Sequence, residues 1–252
     1  MILLIDIGNS RIKWATLTKG KLQRGADAVR PEDPDTLAAC AGELWGRIKK
    51  PQAVLISNVA GAAAAESLAA WSLTQWHLQP HFIVAEQSAC GVTNAYTVAE
   101  RLGPDRWAAL IAARRRCDGP ACIIDAGTAV TIDVLAADGA HQGGLIIPGL
   151  AMMRRALLER THNILPATAA PAAGDITLLA RDTQDGVAGG TLYTLVAVID
   201  RVVADIGCEL GTEPTRIITG GDAAALLPLL SGNYHHYPEL VLEGLAVIAE
   251  KL

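Results

Sequence analysis

The sequence predicts an α/β fold built twice, as two related lobes with a cleft between them. Three observations predict it. A short apolar run, residues 2–5, ends in Asp6-Ile7-Gly8-Asn9-Ser10 and is followed by a segment, 11–17, that alternates polar and apolar. The same arrangement returns 119 residues further on, where Ala121–Ile124 leads into Asp125-Ala126-Gly127-Thr128 and residues 130–135 alternate again. A third apolar step, Ile217-Ile218, enters Thr219-Gly220-Gly221-Asp222. An unbroken apolar run reads as a strand buried on both faces and an alternating one as a half-buried strand. A unit that recurs within one chain reads as a structural duplication.

Taken in order, residues 2–5 and 11–17 form a β-hairpin with a Gly-Asn tip. Residues 35–49 have the spacing of an amphipathic helix, 54–59 is a buried strand, 61–77 is helical and 81–85 is strand-like. Residues 97–117 read as a helix interrupted at Gly103-Pro104. Pro104 suits the first turn of a new helix, which places Asp105 where the positive end of the helix dipole favours a carboxylate. After the second hairpin, Asp138-Gly139 is a turn signal, and Gly143-Gly144 opens a loop that runs to Pro148-Gly149. A helix follows over 150–160, a Pro/Ala/Gly-rich loop over 166–175, and a helix over 186–207. The segment 239–252 is again helical.

Composition bounds the function. The 252 residues are 51% hydrophobic and 19% charged, as expected of a globular chain. A net charge of -5 disfavours a nucleic-acid partner. The one dense basic run, Arg114-Arg115-Arg116, reads as a solvated helix end. Five cysteines, with no C-x-x-C pair, suggest neither a disulfide framework nor a zinc site, and so a reducing compartment. Cys117 and Cys122 read as small buried hydrophobes. The six histidines show no ligand spacing, and His235-His236 between Tyr234 and Tyr237 reads as a polar surface loop. The opening Met1-Ile-Leu-Leu-Ile meets Asp6 at once, unlike a secretory leader, and no stretch of about 18 residues reads as a bilayer span.

The paired hairpins suit phosphate chemistry. Glycine lets the backbone turn sharply and approach a ligand closely. Turn amides and the Ser10 or Thr128 hydroxyl can donate to phosphate oxygens, and a carboxylate at a strand end can hold a divalent cation through water. A Walker P-loop is absent, as is G-x-G-x-x-G after a strand. Taken singly, a strand followed by Asp-x-Gly is an ordinary turn, and so is Gly220-Gly221.

These three elements, in this order, resemble the two phosphate motifs and the adenosine motif of the actin, sugar kinase and heat-shock ATPase superfamily. Within it, Asp6-Ile-Gly-Asn-Ser-Arg-Ile-Lys13, Gly103-Pro-Asp-Arg106-Trp107, Asp125-Ala-Gly-Thr128-Ala-Val-Thr131, Gly143-Gly144 with Pro148-Gly149, and Thr219-Gly-Gly221 resemble type III pantothenate kinase. The match runs nearly end to end, and Gly-Pro-Asp-Arg is its most diagnostic part. Ser10 stands where the family often has Thr, with the hydroxyl kept.

The resemblance implies two actin-like (ribonuclease H-like) lobes, 1–117 and 118–252, with ATP in the cleft between them. It implies phosphorylation of pantothenate to 4′-phosphopantothenate, the first step toward coenzyme A. In that reading Asp6, Ile7, Gly8, Asn9, Ser10, Arg11, Ile12 and Lys13 wrap the ATP phosphates, Thr128 contacts ATP, and Gly220 and Gly221 admit the adenosine. Asp105 is the general base. Tyr96, Gly103, Pro104, Asp105 and Arg106 line the pantothenate pocket. Asp125 holds a monovalent cation, K⁺ or NH₄⁺, and Asp6 holds Mg²⁺ through water. Thr183 reaches the pantothenate of the neighbouring subunit, so the active site is completed in a cytoplasmic homodimer.

Each of these residues has a plainer reading. Asp105 can be a helix cap, Arg106 a surface salt bridge, Tyr96 a packed aromatic with an exposed hydroxyl, Lys13 an exposed strand lysine, and Asp182-Thr183 the cap of the helix over 186–207. Other functions stand beside the leading one. Another actin-fold kinase acting on a sugar would share the hairpins but has no reason to carry Gly103-Pro-Asp-Arg106. A non-catalytic regulatory relative has no need of Asp6, Asp105, Arg106 and Asp125 together. A filament-forming actin-like protein would need more chain.

Overall fold

Strand β1 (Ile2–Ile7) is the axis of the first half of the fold. The computed structural model describes residues 1–160 and 178–251. It divides into two compact units, of which the first comprises Met1–Asp118, Gly139–Gln142 and the chain from Glu239 on. β1 pairs antiparallel with β2 (Arg11–Thr18), Ile7 opposite Ile12. Then come β3 (Lys21–Arg24), β4 (Ala28–Val29), α1 (Pro34–Trp45) and β5 (Ala53–Asn58). β5 lies parallel to β1 on its other side, Ile2 beside Ala53. α2 (Ala62–Trp76), β6 (His81–Phe82), the hairpin of β7 (Ser88–Ala89) and β8 (Val92–Thr93), and α3 (Pro104–Arg116) complete this stretch. The sheet order is β3-β2-β1-β5-β6, with β4 on β2.

Both faces of β1 are covered, which is why its sequence is continuously apolar. Successive side chains point to opposite faces. Leu3, Ile5 and Ile7 pack with Leu37, Ala41, Trp45, Leu68 and Trp76 of α1 and α2. Trp71 sits edge-on between Trp45 and Trp76, its ring 5.7 and 4.8 Å from theirs, and so ties the two helices together. Asp33 caps α1 by accepting the Thr36 N–H at 2.8 Å, and Pro34 opens it. The expected helices over 35–49 and 61–77 therefore appear as α1 and α2, the first ending four residues early. The strand expected over 81–85 shortens to two residues.

The second unit comprises Gly119–Asp138 and Gly143–Pro238. Its elements are β9 (Ala121–Ala126), β10 (Ala129–Leu135), β11 (His141–Pro148), α4 (Leu150–Arg160), α5 (Thr183–Leu210), β12 (Thr215–Thr219), α6 (Ala223–Leu226) and β13 (His235–His236). The first residues of β11 are counted with the first unit. The sheet order, β11-β10-β9-β12-β13, repeats that of the first sheet. β9 takes the place of β1, antiparallel to its return strand β10 and parallel to β12.

Four expectations change here. The loop read from Gly143-Gly144 to Pro148 is strand β11, at a sheet edge where glycine and a terminal proline are tolerated. His235-His236 is exposed as expected, but as an edge strand parallel to β12. α5 begins at Thr183 because Asp182 caps it, accepting the Asp185 N–H at 2.9 Å, and it ends at Gly211 in the left-handed conformation, φ 64°. α5 is also long and apolar enough to cross a bilayer by length and composition, against the sequence reading, yet its Leu192, Leu195, Ile199 and Val203 lie buried in the second core. The loop expected over 166–175, and His162, lie outside the described residues.

The closing helix α7 (Leu240–Ala249) returns to the first unit. Its Leu242, Leu245 and Ala249 cover Leu4, Ala15 and Leu55 on the second face of the first sheet. Burying each leucine stabilises the fold by roughly 1.5–3 kcal/mol, and α7 supplies much of that cover. α7 lies tightly on α3: a Cβ on Gly244 would meet the Ala108 carbonyl oxygen at 1.9 Å.

Candidate active site

Asp6 stands at the end of β1, half-buried, opposite Lys13 of β2 and beside Ser57 of β5. Register neighbours project to one face of a sheet, so Lys13, Asp6 and Ser57 form a polar row across the strand ends. Lys13 is half-buried rather than fully exposed. The chain then turns through Gly8, Asn9 and Ser10, and the Gly8 N–H donates to the Arg11 carbonyl at 2.9 Å. Asn9, Ser10 and Arg11 are exposed, while Ile7 and Ile12 are buried beneath them.

The second hairpin repeats the row with different members. Asp125, half-buried, lies opposite Thr131 of β10 and beside Thr219 of β12. Its turn is one residue shorter, since Asp6 faces a residue seven positions on and Asp125 one six positions on. The Gly127 N–H donates to the Ala129 carbonyl at 3.2 Å. Two glycines press onto this tip. A Cβ on Gly149 would lie 2.3 Å from the Gly127 oxygen and 2.5 Å from that of Thr128, whose carbonyl accepts the Gly149 N–H at 3.1 Å. Gly220, at φ 95°, would carry a Cβ 2.3 Å from the Ala126 oxygen, and the Asp222 N–H donates to that same oxygen at 2.9 Å. Side chains are excluded at both positions. Asp125, Thr128, Gly220 and Gly221 are thus gathered at the end of β9, and Gly221 faces open space.

The third group lies at the start of α3. Gly103 is the N-cap, Pro104 opens the helix, and Asp105 sits half-buried in the first turn, its Oδ1 accepting the Arg106 N–H at 2.8 Å. Arg106 is no surface residue: it is only 7% exposed. Its Nη1 donates to the Tyr96 hydroxyl at 3.0 Å, and its guanidinium carbon lies 5.8 Å from the centre of the same ring. A buried guanidinium needs such partners, because desolvating an unpaired charge is costly. The Tyr96 hydroxyl is engaged rather than simply exposed.

Two residues that the sequence reading passed over hold Tyr96. His141 is buried and stacks on its ring, 6.2 Å between centres and 14° between planes. Asn94 is buried too. Its Oδ1 accepts the Tyr96 N–H at 3.0 Å, while Nδ2 donates to the Glu86 carbonyl at 3.3 Å and the Ala99 carbonyl at 3.2 Å. An asparagine two residues before a tyrosine was the available sequence signal, since Asn bonds the backbone two positions on.

Thr183 is exposed in the first turn of α5, and Asp182 is its cap. The basic run ends α3: Arg116 pairs with Glu243 at 2.6 Å, and Arg114 reaches the Cys117 carbonyl at 3.5 Å. All five cysteines are free, and burial pushes the Cys122 thiol up to about 12, so it is an inert core residue.

The chemistry of the donors can be matched to cations. Asp125, Thr131 and Thr219 offer oxygen alone, which suits hard ions such as Mg²⁺ or K⁺. Among the described residues no group of three or more His, Cys, Asp or Glu side chains could enclose a metal. An ion here would need further oxygen ligands from outside this group, such as water.

The profile of the type III pantothenate kinases matches residues 2–205. A type III pantothenate kinase from Nitrosococcus oceani is 44% identical over 261 residues, covering 99% of this chain and 94% of that protein. Among solved structures, a Baf family protein from Campylobacter jejuni superposes with a TM-score of 0.59 at 20% identity, covering 99% of this chain and 98% of that one. A ROK family glucokinase from Streptomyces griseus, in complex with glucose and AMPPNP, gives 0.51 at 14% identity, covering 100% and 99%. At such identities the structural likeness carries the fold alone, that of the actin-like kinases.

Proposed function

The chain belongs to the type III pantothenate kinase family, and from that premise we propose that it transfers the γ-phosphoryl group of ATP to the primary hydroxyl of pantothenate, with Asp105 as general base. The product is 4′-phosphopantothenate, on the way to coenzyme A. The observation that supports the reading best is the start of α3, where a carboxylate and a buried, tyrosine-held guanidinium stand on adjacent residues.

Arg106 and Tyr96 bind the pantothenate carboxylate, a fork suited to a planar anion. Asp105 takes the proton of the hydroxyl as its oxygen bonds to the γ-phosphorus and the bond to the leaving ADP oxygen breaks. The Gly8–Ser10 turn and Lys13 hold the phosphates, Thr128 contacts ATP, and the turn at Gly220 and Gly221 receives the adenosine. Asp6, through water, would hold Mg²⁺, and Asp125, beside Thr131 and Thr219, would hold K⁺ or NH₄⁺. When bound, these cations neutralise phosphate charge in a chain of net charge -5.

The working form is a homodimer in which Thr183 covers the pantothenate of the other subunit. Leu145 and Ile146 of β11 and Met152 of α4 support this reading, being 47%, 63% and 46% exposed, apolar side chains of the kind that subunits cover. Free cysteines fit a reducing, cytoplasmic setting.

The test is a potassium-containing kinase assay with ATP and either pantothenate or a panel of sugars, the product identified by mass. A phosphorylated pantothenate is expected. Phosphorylation of a sugar with none of pantothenate would overturn the proposal.

A further inference from the structure

Arg30 lies in a stretch to which the sequence motifs assign no role. Strand β4 pairs with β2, Ala28 opposite Ile12 and Val29 opposite Arg11, and this two-residue ladder carries Arg30 to the tip of the first hairpin. There its backbone N–H donates to the Ser10 carbonyl at 2.9 Å and its Nε to the Asn9 carbonyl at 2.9 Å, while Nη1 donates to the Pro31 carbonyl at 3.0 Å. One residue thus holds two successive carbonyls of the Gly8–Ser10 turn from outside, and the Gly8 N–H bond to Arg11 closes the turn from within.

Asn9 and Ser10 are exposed and bury no side chain, so packing does little to order this turn. Ordering such a turn only when a ligand arrives would subtract its conformational entropy from the binding energy. A turn already tied down presents its groups without that loss. The guanidinium also sets a positive charge at the tip, and its planar fork serves the Asn9 and Pro31 carbonyls from two separate nitrogens, a geometry that the single nitrogen of an ammonium does not offer.

We propose that Arg30 is a positioning residue for the nucleotide: it holds the Gly8–Ser10 turn in the shape that receives the polyphosphate of ATP. This rests on the reading of residues 6–13 as the phosphate-binding hairpin.

The experiment compares Arg30→Ala and Arg30→Lys with the wild-type protein. The KM for ATP is measured at saturating pantothenate, the KM for pantothenate at saturating ATP, and the inhibition constant of ADP against ATP. In both variants the KM for ATP and the ADP constant rise about tenfold, the size expected for a lost hydrogen bond from a charged donor. The KM for pantothenate stays within about twofold, because the clamp does not touch the start of α3. Should Arg30→Ala fail to fold, Arg30→Lys gives the same readings, since the lysine stem keeps most of the packing. An Arg30→Lys protein with wild-type ATP kinetics would assign the effect to charge and overturn the clamp. An equal rise in both KM values would overturn it as well, as a general distortion. A wild-type protein that fails to phosphorylate pantothenate removes the underlying functional reading instead.

Discussion

Replacing Tyr96 by phenylalanine removes one oxygen from the protein and tests the proposed pantothenate pocket at its most specific point. The ring remains, so its stack on His141 and the Asn94 bond to its backbone are kept. What is lost is the acceptor that Arg106 Nη1 meets at 3.0 Å. Arg106 is 7% exposed, so water cannot readily take the vacated place. A hydrogen bond to a charged group is worth about 1.5–3 kcal/mol. At about 1.4 kcal/mol for each factor of ten, its loss lowers kcat/KM for pantothenate roughly ten- to 150-fold. The effect belongs at the lower end of that range, because Tyr96 is itself half-buried. The assay couples ADP release to a dye and varies pantothenate at saturating ATP, then the reverse, with a thermal melt as control. The KM for pantothenate should rise while that for ATP stays put. An unchanged pantothenate KM in a folded variant, or an equal rise in both, would refute the idea that Tyr96 aims Arg106 at the substrate.

Further outcomes follow from the same geometry. Asp105→Asn should abolish phosphoryl transfer while the melt and ATP binding by calorimetry stay near wild type; turnover that survives would remove Asp105 as the base. Asp125→Ala should weaken the use of ATP and flatten the response of the rate to added K⁺, and an unaltered potassium titration would reject the cation role. Thr183→Ala should raise the KM for pantothenate more than that for ATP, because an exposed residue in the first turn of α5 can act only on what is brought to it; equal effects would count against it. Gly244→Ala forces a Cβ to 1.9 Å from the Ala108 oxygen, so α3 and α7 must part. The expected loss is about 1–3 kcal/mol, read as a lowered melting temperature, and an unshifted melt would contradict the close packing.

What the amino-acid order determined by itself is local. The two hairpins were legible because an apolar run, an Asp-x-Gly turn and an alternating return follow one another without a break in the chain, and strand pairing across a tight turn needs no distant partner. Pro104 marked the start of α3 for the same reason, and Asp182 was legible as a cap although the helix was read from three residues further on. Tertiary structure decided the rest. No local pattern says that α7 will close the first sheet, that β11 will run through Gly143-Gly144, or that Arg106 will be buried on Tyr96 with His141 behind it. Nor does any say that Arg30 will grip a turn some twenty residues earlier. Those contacts join residues far apart in the chain, and each exists only because packing brings the partners within a few ångströms, where desolvation makes a hydrogen bond worth keeping.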